Sequence, residues 1–235
     1  MAAKRIVEGL WQLNLGAVNA FLIDNGELTL IDTGVPDSAG KIVQAVESLR
    51  KKPADIRHII VTHCHPDHAG SLAAIKRLTT APVYMHPTDA AMVRKGEGKR
   101  PMTAAPGLLR SVMFNLFVAR SSGTIEPCAI DCEINDRTEL PIAGGLQALH
   151  VPGHCAGQLA LLWPRRRVLF VADAASNMPN FGLSLGYENL QEGLRSLAKI
   201  AALEFDIACF GHGSVIMSQA SAKFRQKWGG GPHGS

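Results

Sequence analysis

The sequence predicts a mixed α/β fold in which two β-sheets pack face to face and helices cover their outer faces. Hydrophobic residues make up 46% of the 235 residues and charged residues 19%, which is enough apolar material for a full core. Each half of the chain runs from strand-like apolar segments into a strand–helix unit, a loose twofold repetition. Nothing between the halves has the composition of a linker, so residues 1–228 are predicted to form a single domain.

The first half predicts antiparallel strands followed by alternating strands and helices. Asn25-Gly26 is a hairpin turn signal, and Pro53 ends the first helix. The helices are recognised by apolar residues that recur on one helical face. The predicted elements are strands at 6–15, 19–24, 28–32, 58–62 and 83–85 and helices at 36–49 and 70–78.

The second half repeats this order after residue 145. Residues 164–167 form the turn of a predicted hairpin. The predicted elements are strands at 146–151, 159–163, 168–172 and 207–210 and helices at 187–203 and 218–228. Residues 229–235 are rich in glycine and are expected to be a flexible end or an expression remnant.

Residues 87–126 interrupt the alternation of predicted strands and helices and are predicted to be a helical insertion. Two helices are expected, at 88–95 and 107–120, with the polar loop 94–101 between them. The second helix carries an apolar stripe of Leu108, Leu109, Val112, Met113, Leu116 and Phe117. Two interpretations stand: the stripe is one wall of an apolar pocket, or it belongs to a core-facing or homodimer-forming helix.

Composition excludes several classes of partner. The formal net charge of +4 is too small and too scattered to indicate nucleic-acid binding. No stretch approaches the roughly 20 apolar residues of a membrane span, and the N-terminal residues lack a signal-peptide pattern. Five cysteines, an odd number, fit reduced thiols. We therefore expect a cytoplasmic protein that acts on a small molecule, without nucleic acid or membrane.

Ligand-type side chains crowd together directly after the strand at 58–62. His63, His65, Asp67 and His68 lie within six residues. Residues at positions i and i+2 of an extended chain face the same side, and Pro66 favours the turn that brings the last two back. Imidazole and carboxylate ligands suit zinc or another first-row divalent metal.

Three further candidates follow other predicted strands. His154, Asp173 and His212 each stand at a strand end among small residues that allow close approach. Asp32 follows the strand at 28–32, where it could be a helix-terminal acid or could orient the histidine cluster.

Together these segments resemble the metallo-β-lactamase superfamily. The resemblance rests on Ile31-Asp-Thr-Gly34, Thr62-His-Cys-His-Pro-Asp-His68, Pro152-Gly-His154, Val171-Ala-Asp173 and Phe210-Gly-His212. It implies a four-layer αββα sandwich with a metal site at one edge, between the two sheets.

The resemblance also implies a dinuclear centre. His63, His65 and His154 would hold one ion, Asp67, His68 and His212 the other, and Asp173 would bridge both. Two Zn²⁺ ions are the expected cofactor, with iron or manganese as alternatives. A hydroxide shared by the ions would attack the carbonyl of a small ester, lactone or thioester, and water or Asp67 would supply the proton. Weak β-lactam or phosphoester side activity is expected beside it.

Within the superfamily, the ligand set is similar to that of glyoxalase II and the lactonases. β-Lactamases proper typically lack the carboxylate found here at Asp173, and persulfide dioxygenases use a single iron; both stay alternatives. The helical glutathione domain of glyoxalase II has no counterpart in the 23 residues after His212. Substrate-pocket candidates are Met113, Phe117, Phe181 and Tyr187.

Overall fold

Two β-sheets form the centre of the structure, which is a computed structural model describing residues 3–230. The expectation for the tail therefore falls mostly on residues 231–235, outside the described part. The strands are β1 Lys4–Val7, β2 Leu10–Asn14, β3 Asn19–Asp24, β4 Leu28–Ile31, β5 Ile56–Ile60, β6 Val83–Met85, β7 Thr103–Ala104, β8 Cys132–Glu133, β9 Glu139–Leu140, β10 Leu146–His150, β11 Leu159–Trp163, β12 Val168–Ala172, β13 Ser176–Asn177, β14 Phe181–Gly182, β15 Gly186–Tyr187 and β16 Ile207–Phe210.

Helices connect and cover these strands. They are α1 Ala39–Ser48, α2 Pro66–Ala69, α3 Leu72–Thr79, α4 Pro87–Val93, α5 Leu108–Met113, α6 Leu190–Ala201 and α7 Ala220–Trp228. A π-helical turn at Phe114–Val118 continues α5, and 3₁₀ turns occupy Pro53–Asp55 and Pro164–Arg166. Within residues 3–230, none of the helices is both long and apolar enough to cross a membrane.

Both large sheets begin as antiparallel meanders and end with parallel pairing. The first has the order β1-β2-β3-β4-β5-β6-β8, in which β4, β5, β6 and β8 are parallel neighbours. The second has the order β16-β12-β11-β10-β9, and its β12–β16 pair is parallel. The repetition predicted from sequence is thus a repetition of sheet topology.

Three apolar clusters define four layers. Alternate residues of β3 separate the first two clusters: Ala20 and Leu22 face the cluster shared with α1, α3 and α4, whereas Phe21 and Ile23 face the other sheet. The third cluster joins the second sheet to α6 and α7. Alternation of side chains across a strand lets each sheet bury both faces. The predicted αββα sandwich is confirmed.

Several predicted helix boundaries were wrong. The helix predicted at 187–203 begins only at Leu190, because β15 pairs with β7 and the Asn189 side chain accepts a hydrogen bond from the Glu192 backbone N–H at 3.1 Å. The helix predicted at 70–78 is preceded by the separate turn of α2. The helix predicted at 107–120 becomes π-helical from residue 114.

Candidate metal centre

All the predicted ligand residues follow strands that end at the same edge of the sandwich. β4 and β5 are parallel, as are β12 and β16, and β10 runs in the direction of β12 because β11 is antiparallel to both. Asp32 and Ala172, which directly precedes Asp173, have φ angles of 62° and 49°. Residues other than glycine seldom have a positive φ angle, so the backbone is held in an unfavourable conformation at both positions.

The segment between β5 and α3 folds back on itself. His65 is extended, and Pro66 opens the short helix α2, which places Asp67 and His68 beside the two earlier histidines. The ring centroid of His63 lies 4.6 Å from that of His65 and 4.1 Å from that of His68.

The candidate ligand atoms form two neighbouring groups. One consists of His63, His65 and His154, and the other of Asp67, His68 and His212; within each, the ligand atoms lie within 4.8 Å of one another. The predicted site residues are therefore brought together in the structure, although the role of each as a ligand stays a prediction.

Asp173 stands between the two groups. Its Oδ1 is 3.5 Å from His68 Nε2, and its Oδ2 is 3.6 Å from His154 Nε2 and 3.1 Å from His212 Nε2. A single carboxylate thus faces both groups, which is the position required of a bridging ligand. Gly211 makes room for it, since a Cβ there would collide with the Asp173 carboxylate and lie 2.6 Å from the His68 ring.

Four of the five imidazoles have their Nδ1 atom in contact with an oxygen of the surrounding protein, whereas Nδ1 of His65 lies 3.0 Å from Nε2 of His154. The Nδ1 atoms of His63, His68, His154 and His212 lie 3.1, 2.8, 2.7 and 2.7 Å from Thr62 Oγ1, Asp32 Oδ2, Gly186 O and Ala17 O. Such bonds fix the orientation of metal-binding imidazoles.

Four buried polar atoms of the predicted ligand residues have no hydrogen-bond partner among the described residues. They are Nε2 of His63, His65 and His68, and Oδ1 of Asp173. Buried polar atoms without a partner are costly, so this concentration fits a cation as the missing partner. The donor set suits zinc and its neighbours.

The two groups differ in protonation. Burial lowers the pKa of His63, and the neighbouring imidazoles lower it further. Burial, then His154, lowers the pKa of His65 to about 3, and burial also lowers the pKa of His154. These rings are neutral at pH 7, which is the form that binds metals.

The second group is charged in the absence of a cation. Burial disfavours a charged His68, but Asp173 and Asp32 outweigh it and raise its pKa to about 9. The pKa of His212 is also raised, because Asp173 overcomes the effect of burial. Protons on these rings balance the carboxylates, and an arriving cation would displace them.

An apolar cavity of about 520 Å³ opens directly above these ligand atoms. Its wall is mostly apolar and includes Val35, Met102, Met113, Phe117, Met178 and Leu185. The insertion therefore supplies part of this wall, which agrees with the interpretation of its apolar stripe as one wall of a pocket.

Two of the predicted pocket residues lie elsewhere. Phe181 packs against Phe210, Phe224 and Trp228. Tyr187 is fully buried, and its hydroxyl donates to the Ala174 carbonyl at 2.8 Å. Neither lines the cavity, although Met178 and Leu185 of the same segment do.

Several residues beside the ligands were not predicted. Met102 and Lys99 reach the cavity from the insertion, and Asp89 lies buried behind the histidines. Asp89 follows β6, the neighbour of β5, so the rule that ligands follow strand ends could have pointed to it.

Comparison with known proteins places the chain in a family. Residues 13–212 match the metallo-β-lactamase superfamily. The chain belongs to that superfamily, whose members are mostly metal-dependent hydrolases.

Individual relatives are distant. A probable metallo-hydrolase, YflN of Bacillus subtilis, is 25% identical over 90% of this chain and 86% of its own length. An N-acyl homoserine lactonase from a Bacillus species is 24% identical over 78% of this chain and 75% of its own. Among solved structures, a Cronobacter sakazakii metallo-β-lactamase with a HARLDQ motif superposes with a TM-score of 0.70 at 25% identity, covering 91% of this chain and 81% of that protein.

Proposed function

We propose that this protein is a dinuclear, zinc-dependent hydrolase of small esters, lactones or thioesters with an apolar acyl part. The observation that carries the proposal is the set of partnerless, buried Nε2 and carboxylate atoms that opens onto an apolar cavity. His63, His65 and His154 would hold one ion, Asp67, His68 and His212 the second, and Asp173 both.

When bound, a pair of divalent cations lowers the pKa of water and polarises a carbonyl or leaving-group oxygen. The side chains of this chain contribute position and proton transfer. Asp32 keeps the His68 ring turned toward the pocket through its 2.8 Å contact with Nδ1. Asp67 lines the cavity with a side chain that is 35% exposed. Although burial opposes the shift, His68 and His212 hold the pKa of Asp67 well below its usual range, so the carboxylate is ionised. It would accept a hydrogen bond from water, and that water would supply the proton for a leaving group.

The cavity wall supports an apolar substrate. Met102, Met113 and Met178 give a surface that adapts to different acyl groups, and Phe117 adds a flat apolar face. A carbonyl near Asp173 and an acyl chain against this wall would use both parts of the pocket. The similarity to a lactonase supports the same class of substrate.

The test is to measure zinc content and turnover together. Metal-free protein reloaded with zinc is assayed against ester, lactone, thioester, phosphoester and β-lactam panels. We expect two zinc ions per chain and turnover of the first three classes. Asp173→Asn should lose at least a hundredfold in kcat, while Asp131→Asn, which alters an exposed carboxylate bound to Lys76 and Val83, should not.

Other results would contradict the proposal. One iron per chain with oxygen consumption would indicate an oxidoreductase instead. Two bound zinc ions with hydrolysis of β-lactams alone would indicate a β-lactamase. Unchanged turnover in Asp173→Asn would remove that carboxylate from the reaction.

A further inference from the structure

A second buried cluster of charged and sulfur-containing side chains lies behind the histidines. At its centre is the Asp89 carboxylate, which is completely buried at the start of α4. Around it are Cys64, Cys155, Arg100 and Glu188. The proposed reaction uses none of these five side chains.

Asp89 joins the two loops that carry the first group of histidines. Its Oδ2 accepts the backbone N–H of Cys64, between His63 and His65, at 3.0 Å. Its Oδ1 accepts the backbone N–H of Gly157, three residues after His154, at 3.1 Å. The Cys155 thiol also donates to Oδ2, at 3.0 Å.

The carboxylate packs so closely that its loop partner must be glycine. A Cβ on Gly157 would lie 2.6 Å from Asp89 Oδ1. One carboxylate therefore connects a loop of the first sheet to a loop of the second, directly behind the ligand atoms.

Although Cys64, Asp89 and Cys155 have the spacing of a metal site, the cation in this cluster is Arg100. Its Nη1 lies 2.8 Å from Asp89 Oδ1, 3.2 Å from Glu188 Oε1 and 3.4 Å from Cys155 Sγ. A buried carboxylate needs such a partner, since an unpaired buried charge is strongly destabilising. Glu188 reinforces the same loop by accepting the Ala156 backbone N–H at 2.9 Å.

The second group of ligands has different supports. His68 is held by Asp32, and His212 by the Ala17 carbonyl. Asp89 touches neither, so its influence should fall on one half of the centre.

We propose that Asp89, paired with Arg100, is a positioning residue that holds His63, His65 and His154 in register and so sets the affinity of that group for its metal ion. This inference rests on the two-ion site of the proposed function. Loss of an outer carboxylate of this kind typically lowers metal affinity by 10- to 100-fold. The Asp67, His68 and His212 group should keep its affinity within about threefold, which is little beside that loss.

The experiment compares full-length wild type with Asp89→Asn, Arg100→Gln and Asp131→Asn. Asp131 is a matched control because it also accepts a backbone N–H (Val83) and binds a cationic side chain (Lys76), but on another part of the sheet. Zinc affinities are measured by competition with a chromophoric chelator. We expect one of the two affinities to fall at least tenfold in Asp89→Asn and, less strongly, in Arg100→Gln, and neither to fall in Asp131→Asn.

A second measurement identifies the affected group without metal. In the metal-free protein, the imidazole NMR signals of His65 and His154 should shift or broaden in Asp89→Asn, while those of His68 and His212 stay in place. Circular dichroism checks that each variant is folded. If Asp89→Asn does not fold, the zinc affinities of Arg100→Gln test the proposal instead, since this variant keeps the Asp89 carboxylate.

The outcomes separate the two proposals. Wild type that binds no zinc overturns the proposed function. Wild type with two zinc sites, together with unchanged or equally weakened affinities in the folded variants, overturns only the role of Asp89.

Discussion

Three imidazoles of the centre, those of His68, His154 and His212, are fixed by contacts with residues far away in the sequence. The His154 Nδ1 partner is the Gly186 carbonyl, and the His212 partner is the Ala17 carbonyl. Because a ring held at one nitrogen can rotate little, the other nitrogen is aimed before any ion arrives. Preorganisation of this kind spares the site part of the ordering cost of binding.

His86 and His150 form another imidazole pair away from the ligands. Their rings stack with centroids 4.0 Å apart and an interplanar angle of 10°. Burial, then His150, lowers the pKa of His86, although Asp89, Asp136 and Glu133 oppose the shift. Protonation of His86 is therefore less favourable in the folded chain than in the unfolded chain.

This pair predicts an acid-sensitive contribution to stability. Unfolded His86 takes up its proton near pH 6.5, before the folded form does, so the free energy of unfolding should decrease as the pH falls below about 6.5. His86→Asn keeps a side chain that can cap the Thr88 N–H and should flatten this decrease. Denaturant unfolding of both proteins between pH 5 and 7.5 measures it; equal slopes would contradict the prediction.

At this scale the sequence predicted which candidate ligand residues lie together, but it did not predict the residues that surround them. His63 to His68 form a local spacing pattern, and His154, Asp173 and His212 follow predicted strands. Both features can be recognised from the sequence alone. Asp89 and Arg100 meet Cys155 from 66 and 55 residues away. These residues come together only when the chain folds, and no periodic pattern in the sequence predicts a contact between such distant positions.

Among the elements, α5 and its π-helical continuation have two different faces. Met113 and Phe117 line the cavity, although Phe117 is also 66% exposed, whereas Leu108 lies outside the cavity wall and is 84% exposed. Phe114 anchors the segment, because its ring lies where a Cβ on Gly186 would be. The sequence predicted the apolar stripe, but no pattern in it indicated that the helix changes its winding at Phe114.

The wall of the cavity leads to a prediction about chain length. Phe117→Ala should lower kcat/KM for long-chain acyl esters or lactones by about tenfold, the equivalent of 1–1.5 kcal/mol of lost apolar contact, and leave acetyl esters nearly unchanged. Leu108→Ala is the matched control, since Leu108 is in the same helix but outside the cavity wall. An equal loss for short and long substrates would show that Phe117 does not contact the acyl chain.

At the scale of the whole molecule, the proposed ligands come from both sheets. His63 and His65 follow β5 of the first sheet, whereas His154, Asp173 and His212 follow strands of the second. A cation held by both would link the layers across their shared apolar cluster. Binding to the folded state alone adds about 2.7 kcal/mol of stability at a concentration of 100 times Kd.

Removal of metal should therefore lower the melting temperature. For a chain of this size, 2.7 kcal/mol corresponds to a decrease of roughly 5–10 °C. Thermal unfolding before chelation, after chelation and after resupply of zinc measures the effect. A melting temperature that is the same in all three states would argue against an ion between the sheets.

The layered architecture could be predicted because it repeats. Strand-like runs and turn signals recur in both halves, and the superfamily motifs fall between them in order. The short strand pairs β7–β15 and β13–β14 could not be predicted, because a strand of two residues has too short a sequence pattern to be distinguished from a loop.

The insertion leaves and rejoins the sandwich through a narrow stem. Glu97 bridges Thr124, and the Gly98 N–H donates to the Gly123 carbonyl at 2.6 Å. We expect that a segment closed at its base in this way can be replaced by another loop without moving the strands, so that the shape of the cavity changes while the proposed ligands stay in place. The inferred role of Arg100 sets one condition on such a replacement: the incoming loop must bring its own arginine at that position.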